Sequence, residues 1–251
     1  MDAIVERQQE GRQLVEPRAR IGLIVPSVNR SSEPQFNHYA PPGLAIHVAR
    51  ARITGQWRKP VAEMREVIAR AAATLGDAGT DLIVYHCTDS SMREGLAGER
   101  AILDIVAKES GVAAVATSAL VIEAMRALAM KSVVIVSPYL SNEVIARYLE
   151  ENGVAVRGDI ALKLIGHAVP AVTPRQWLEV TREHARDDVD GYFLSCTNTS
   201  QIEAIEDIEL ALGKPVVNSN QAVLWGALKR LAGKLGSVPP MRGLGRLFQP
   251  S

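Results

Sequence analysis

Short apolar segments alternate with amphipathic segments along most of this chain. The apolar segments are rich in Val and Ile and are bounded by turn residues, a pattern that predicts strands. The predicted strands span residues 20–26, 45–53, 81–86, 112–117, 132–138, 154–164, 191–196 and 215–219. Between them, apolar residues recur with helical spacing over residues 61–75, 91–108, 119–129, 141–151, 174–187, 201–212 and 221–231. Strands that alternate with helices predict an α/β fold with parallel sheets covered on both faces.

One segment of the chain is repeated. Residues 81–91 read DLIVYHCTDSS and residues 190–200 read DGYFLSCTNTS, so Asp, Cys, Thr and the final Ser coincide without a gap. The repeat predicts two pseudo-symmetric, flavodoxin-like halves with the active site in the cleft between them. We expect a flexible segment over 1–19, a first domain over 20–130 completed by a helix at 220–235, and a second domain over 131–219.

Composition and charge exclude several classes of protein. Lys and Arg together number 28, as do Asp and Glu, and this zero net charge gives no electrostatic basis for binding nucleic acid or an anionic membrane. The first twenty residues are charged and lack the apolar core of a signal peptide, and no apolar run is long enough to span a membrane. We therefore expect a cytoplasmic protein. Neither a metal-ligand spacing nor a dinucleotide or phosphate-binding glycine motif is present, so we expect no cofactor and no metal.

Cys87 and Cys196 carry the candidate chemistry, because each ends a predicted strand and precedes a polar run typical of a helix start. Helix N-termini bind anions and stabilise thiolates, so we expect two thiols of lowered pKa beside sites for a carboxylate. Thiols on opposite sides of a small substrate suit two reactions. A proton can leave one face and return on the other, or one thiolate can add to a double bond while the other thiol handles a proton.

The paired Cys-Thr turns resemble those of the aspartate/glutamate racemase superfamily. The segment RIGLIVPSVNRSSEP at residues 20–34 is similar to its maleate cis-trans isomerase and arylmalonate decarboxylase branch. The resemblance implies that Cys87 is a nucleophile and Cys196 a proton donor. It further implies substrate contacts from residues that surround the two cysteines or lie in the PSVN and SPY segments: Ser27, Asn29, Thr88, Asp89, Tyr139, Thr197 and Asn198.

The resemblance implies a cofactor-independent isomerase acting on a small mono- or dicarboxylate, with maleate to fumarate as the leading hypothesis. The alternatives are an amino-acid or hydantoin racemase, an arylmalonate-type decarboxylase, and a carboxylate-binding protein without activity. The presence of both cysteines favours the isomerase or racemase over the decarboxylase. The resemblance also implies a homodimer or homotetramer.

Four polar residues near these motifs need separate interpretation. Asp89 departs from the small or apolar residue that is usual after the first Cys-Thr, and we interpret it as a helix cap, with a position facing the substrate as the alternative. We expect His86 to be structural, because strand alternation directs it away from the face of Cys87. Arg50 and Arg52 share one strand face, which we expect to be solvated, with contact to an anionic ligand as the alternative.

Overall fold

The computed structural model describes residues 16–238 and 240–249, and within them the strands form two four-stranded parallel sheets. The first sheet has the order β2-β1-β3-β4, and its strands are β1 (Ala19–Pro26), β2 (Leu44–Ala51), β3 (Leu82–Tyr85) and β4 (Ala114–Ala116). The second has the order β6-β5-β7-β8, with β5 (Ser132–Ser137), β6 (Ala155–Ala161), β7 (Gly191–Leu194) and β8 (Val216–Asn218). The two sheets therefore have the same topology.

Helices follow most of the strands and cover the sheets. They are α1 (Ser32–Tyr39), α2 (Val61–Asp77), α3 (Thr88–Met92), α4 (Gly95–Ser110), α5 (Thr117–Ala127), α6 (Glu143–Glu151), α7 (Pro174–Glu183), α8 (Ile205–Leu212) and α9 (Ser219–Leu235). The central strands β3 and β7 are buried at every position, as expected for parallel strands with both faces covered. The predicted α/β class is confirmed.

Several predicted boundaries are wrong, for local reasons. The helix predicted over residues 91–108 is two helices, α3 and α4, and Gly95 at the break has a positive φ of 62°. The helix predicted over 201–212 begins with a 3₁₀ turn at Gln201–Ala204 and becomes α-helical only from Ile205. The sequence pattern did not predict α1, because its buried face lacks the usual apolar spacing: the buried residues are one aromatic, Phe36, and the polar Ser32 and Gln35.

The carboxyl ends of four strands position the candidate residues. Ser27 follows β1, Cys87 follows β3, Tyr139 follows β5 and Cys196 follows β7. In each sheet the two strands concerned are hydrogen-bonded neighbours at the centre, so their carboxyl ends are adjacent. Ligands of open parallel sheets bind at this edge, which places the candidate residues where a substrate site is expected.

Candidate active site

A cavity of about 990 Å³ lies at the carboxyl ends of these strands and is lined from both sheets. Eight of the nine predicted site residues line it: Ser27, Asn29, Cys87, Asp89, Tyr139, Cys196, Thr197 and Asn198. The ninth, Thr88, is fully buried, and its hydroxyl donates a hydrogen bond to Ser219 Oγ at 2.8 Å. Any contact from Thr88 to a ligand would therefore have to come from its backbone.

Cys87 is the N-cap residue of α3 and is buried. Burial, followed by the negative charge of Asp89, raises its pKa to about 12, and the backbone N–H of Ser90 and the Arg58 guanidinium only partly oppose this. The expectation of a lowered pKa is wrong for this thiol. The physical reason is that a helix of five residues has a weak dipole, whereas the loss of water around the thiolate is nearly complete.

Cys196 is also buried, and burial raises its pKa to about 11. Three donors limit the rise: the backbone N–H of Asn198, which lies 3.3 Å from Sγ, the hydroxyl of Tyr139 and the backbone N–H of Thr197. No helix begins directly after this cysteine, because Thr197–Ser200 forms bends before the 3₁₀ turn. The expected helix start and the lowered pKa are therefore wrong here as well. A negative charge on Cys196 raises the pKa of Cys87, so the two thiols interact electrostatically.

Asn29 joins the loops that follow β1 and β7. Its amide nitrogen lies 2.9 Å from Ser32 Oγ and 3.1 Å from Thr197 Oγ1, and its Oδ1 accepts a hydrogen bond from the Ser32 backbone N–H at 2.9 Å. Asn198 makes a second link, because its Oδ1 accepts from the Arg30 backbone N–H at 2.7 Å. The amide of Asn29 is thus largely engaged by the protein, and it fixes the position of the Thr197 turn.

Asp89 points into the cavity from the first turn of α3, and its side chain is 12% exposed. Its Oδ1 lies 2.5 Å from Arg93 Nη2 and its Oδ2 lies 2.7 Å from Arg58 Nη2. The cap residue of α3 is Cys87, and no side-chain capping hydrogen bond is formed there. The interpretation of Asp89 as a helix cap is therefore wrong, because its carboxylate lines the cavity and pairs with two arginines. A contact between Asp89 and the substrate stays a prediction.

Comparison with known proteins identifies the family. The family model for arylmalonate decarboxylase matches residues 21–248. This chain belongs to the arylmalonate decarboxylase family. The family member described here is 29% identical over 228 residues to a maleate isomerase of Pseudomonas putida, covering 84% of this chain and 91% of the relative. It is 30% identical over 191 residues to the arylmalonate decarboxylase of Bordetella bronchiseptica, covering 74% and 78%.

A solved structure is also similar to this arylmalonate decarboxylase family member. It is a cysteine-to-serine variant of Nocardia farcinica maleate cis-trans isomerase with a covalently bound succinylcysteine intermediate. The TM-score is 0.82 at 25% identity, covering 93% of this chain and 99% of that one. The family and enzyme class expected from the sequence are confirmed.

Three arginines, Arg30, Arg50 and Arg58, line the cavity of this family member, and sequence reasoning considered only Arg50 among them. Arg50, expected on a solvated face, lines the cavity, where it donates to the Asn29 carbonyl at 2.5 Å and pairs with Glu33 at 2.7 Å. Its position at the carboxyl end of β2 was the signal available for it. Arg58 follows a 3₁₀ turn at Gly55–Trp57, and nothing in its sequence context indicates a site.

His86 is structural, as expected. Its Nδ1 lies 3.0 Å from Thr117 Oγ1, and its Nε2 lies 3.0 Å from both Ser32 Oγ and Asn220 Oδ1. Burial lowers its pKa to about 3, so the ring is neutral at physiological pH. Among residues 16–238 and 240–249, no group of three or more His, Cys, Asp or Glu side chains is arranged to hold a metal ion. In the same residues no helix is long and apolar enough to cross a membrane.

Proposed function

We propose that this protein is a cofactor-independent cis-trans isomerase that converts maleate to fumarate through a covalent thioether intermediate. The observation that carries the proposal is that two buried thiols, one from each sheet, line a single cavity beside hydroxyl and amide groups. The similarity to maleate isomerases supports the choice of a small dicarboxylate as the substrate.

In the proposed mechanism the thiolate of Cys87 adds to one alkene carbon of maleate. A carbon–sulfur bond forms, the π electrons move to the neighbouring carbon, and the carboxylate attached to that carbon delocalises the charge. Cys196 donates a proton to this carbon, which leaves a succinyl thioether with a freely rotating single bond. After rotation, the Cys196 thiolate removes a proton from the same carbon, and the electrons of that carbon–hydrogen bond re-form the double bond. The carbon–sulfur bond breaks with its electrons on sulfur, so fumarate leaves and the Cys87 thiolate returns. No electrons are gained or lost overall.

The raised pKa values constrain this mechanism. Cys196, with a pKa of about 11, is a neutral thiol at physiological pH, as a proton donor must be. Cys87, with a pKa of about 12, must lose its proton before or during the addition. Burial raises the pKa of both thiols, so these values do not distinguish the nucleophile from the proton donor. The assignment of Cys87 as nucleophile therefore rests on the family resemblance, and trapping the covalent adduct decides it.

The polar groups of the cavity supply contacts for a carboxylate. We propose that the hydroxyl of Ser27 and that of Tyr139, which also reaches Cys196, hydrogen-bond one carboxylate of the substrate beside the Thr197–Asn198 turn, whose backbone N–H groups hold Cys196 Sγ. Asn29 holds that turn in place through Thr197. These contacts orient the alkene between the thiols, which lowers the entropic part of the barrier.

The test uses purified protein treated with a chelator, with fumarate followed by proton NMR after the addition of maleate. We expect Cys87→Ser to abolish turnover, because a serine hydroxyl is far less ionised than a thiol at neutral pH. We expect Cys196→Ser to be roughly 10²–10⁴-fold slower and to accumulate a succinyl adduct on Cys87, visible by intact-protein mass spectrometry.

Each other outcome of this test points to a different conclusion. An adduct on Cys196 in the Cys87→Ser variant would reverse the two roles. Equal losses in both variants without an adduct, together with turnover of an amino acid or hydantoin, would favour a two-thiol racemase. Carbon dioxide release from arylmalonate without fumarate formation would favour the decarboxylase. Stabilisation by carboxylates that is insensitive to both substitutions, without turnover, would indicate a binding protein.

We also propose a division into domains and an assembly. The proposed first domain spans 20–130 and is completed by α9, which packs on α5 and contacts β1 and β3. The proposed second domain spans 131–219. The segment predicted to be flexible, 1–19, lies largely outside the described residues. We propose a cytoplasmic homodimer or homotetramer, which cell fractionation and sizing chromatography coupled to light scattering would test.

A further inference from the structure

We propose that Arg58, held in place by Asp89, binds the second carboxylate of the substrate and makes the site selective for dicarboxylates over monocarboxylates. The inference rests on the proposed function and extends it, since the contacts assigned above account for only one carboxylate. It starts from the charge at the Cys87 side of the cavity. A lone carboxylate there would repel a dianionic substrate.

Asp89 is not a lone carboxylate. Arg58 and Arg93 both contact it, so two positive charges face one negative charge and the cluster has a net charge of +1. Arg58 lines the cavity, whereas Arg93 is not among the lining residues. The surplus positive charge is therefore presented to a ligand by Arg58. A dianion entering the cavity meets attraction at this position instead of repulsion.

Arg58 also has hydrogen-bond donors to spare. A guanidinium has five N–H donors. Within the described residues, the one polar contact of the Arg58 side chain is from Nη2 to Asp89 Oδ2, at 2.7 Å. That carboxylate oxygen is buried and receives no aligned hydrogen bond, so the contact is one of charge. The guanidinium can keep this ion pair and still direct other N–H groups toward a substrate carboxylate.

The two other arginines at the cavity are less suited to this role. The guanidinium of Arg50 is already engaged by the Asn29 carbonyl and by Glu33, so the pair that it forms with Glu33 is neutral. Arg30 is exposed. Arg58, in contrast, combines 37% side-chain exposure with a buried counter-charge.

The segment that carries Arg58 is fixed on both sides. Before it, the guanidinium of Arg52 lies 5.1 Å from the centre of the Trp57 ring. After it, the backbone N–H of Val61 donates to Glu94 Oε1 at 2.8 Å. A donor that is fixed before binding loses less entropy when the ligand arrives, which favours a specific contact.

The test compares Arg58→Gln with wild type on maleate and on maleamate, in which an amide replaces one carboxylate. We expect Arg58→Gln to raise KM for maleate by about 10- to 100-fold, the loss typical of one hydrogen bond to a charged group, with a smaller change in kcat. We expect KM for maleamate to change less than about threefold, because the amide lacks the charge that Arg58 would pair with.

Arg93→Gln is the matched variant, since it removes a positive charge from the same carboxylate but outside the cavity lining. It should change KM for maleate far less than Arg58→Gln, and the exposed Arg65→Gln should leave KM unchanged. Equal effects of the Arg58 and Arg93 substitutions, or equal losses on maleate and maleamate, would overturn the inference.

Binding measured by calorimetry separates this inference from the proposed function. Succinate should bind wild type more tightly than butyrate does, and Arg58→Gln should remove most of that preference, whether or not maleate is turned over. If maleate is not isomerised but the preference depends on Arg58, the proposed function fails and the inference stands. If maleate is isomerised but the preference is unaffected by Arg58→Gln, the inference fails and the proposed function stands.

Discussion

Replacing Asp89 by Asn should make Cys87 more reactive. After burial, the charge of Asp89 is the largest influence that raises the pKa of Cys87, whereas Arg58 lowers it. Asp89→Asn removes the unfavourable charge and leaves both arginines facing a neutral amide, so the pKa of Cys87 should fall. Arg58→Gln should act in the opposite direction. Opposite effects from two neighbouring substitutions are difficult to produce by a general loosening of the fold.

The reactivity of Cys87 before any substitution at Asp89 can be estimated from its raised pKa. At pH 8 a thiol with a pKa of about 12 is roughly 10⁻⁴ ionised, against roughly a quarter for a cysteine with a pKa near 8.5. The more basic thiolate is intrinsically more nucleophilic. With a Brønsted slope of about 0.45, the thiolate of Cys87 reacts roughly 40-fold faster than the thiolate of the cysteine with a pKa near 8.5, which offsets part of the lower ionised fraction. Cys87 should therefore react with a small disulfide about 60-fold more slowly than an exposed cysteine, before any steric protection is counted.

The assay is exchange with dithiodipyridine in the Cys196→Ser background, so that Cys87 is the one remaining thiol. The rate should rise about tenfold per pH unit from pH 6.5 to 9.5 without a plateau, because the thiol stays far below half-ionisation throughout. The same scan with Asp89→Asn should give faster exchange at every pH. A plateau below pH 9 in the parent, or slower exchange in Asp89→Asn, would refute the assignment of burial and Asp89 as the causes of the raised pKa.

Two further predictions concern stability. Gly191→Ala should lower the free energy of unfolding by about 1–3 kcal/mol in urea titrations, because the added Cβ would lie 2.4 Å from the Pro215 carbonyl oxygen. Gly233→Ala is the control: the added Cβ has open space in α9, so the free energy of unfolding should rise by about 0.5–1 kcal/mol. Equal effects of the two substitutions would contradict this packing. The pKa of His86 is about 3 in the folded protein and near 6.5 in the unfolded chain. As pH falls from 6.5 toward 3, the unfolded chain binds a proton at this residue and the folded protein does not, so the free energy of unfolding decreases. His86→Gln should have a shallower slope of stability between pH 5 and 7, by up to about 1.4 kcal/mol per pH unit, and an unchanged slope would show that His86 is not buried in its neutral form.

The sequence determined the class of fold and the location of the candidate site. Apolar runs such as the one that forms β3 and ends at Tyr85, and the helical spacing of apolar residues between these runs, are local patterns of the sequence. Parallel strands place all their carboxyl ends at the same edge of the sheet, so these patterns also locate that edge. The repeated Cys-Thr motif is a local pattern too, and its place after two such strands was enough to locate both thiols at the cleft. The family followed from the same residues, because the paired Cys-Thr turns and the segment at residues 20–34 resemble those of its members.

The tertiary structure decided the electrostatics of the site. A pKa depends on how much water surrounds the group and on charges that lie near it in space, and neither quantity is contained in local sequence. Thus Cys87 and Cys196, expected to have lowered pKa values, have raised ones, because packing removes water from both. Asp89 became part of an ion-pair cluster through Arg58, which is 31 positions away and carries no motif. Only the packing of the segment after β2 against α3 brings those two charges together.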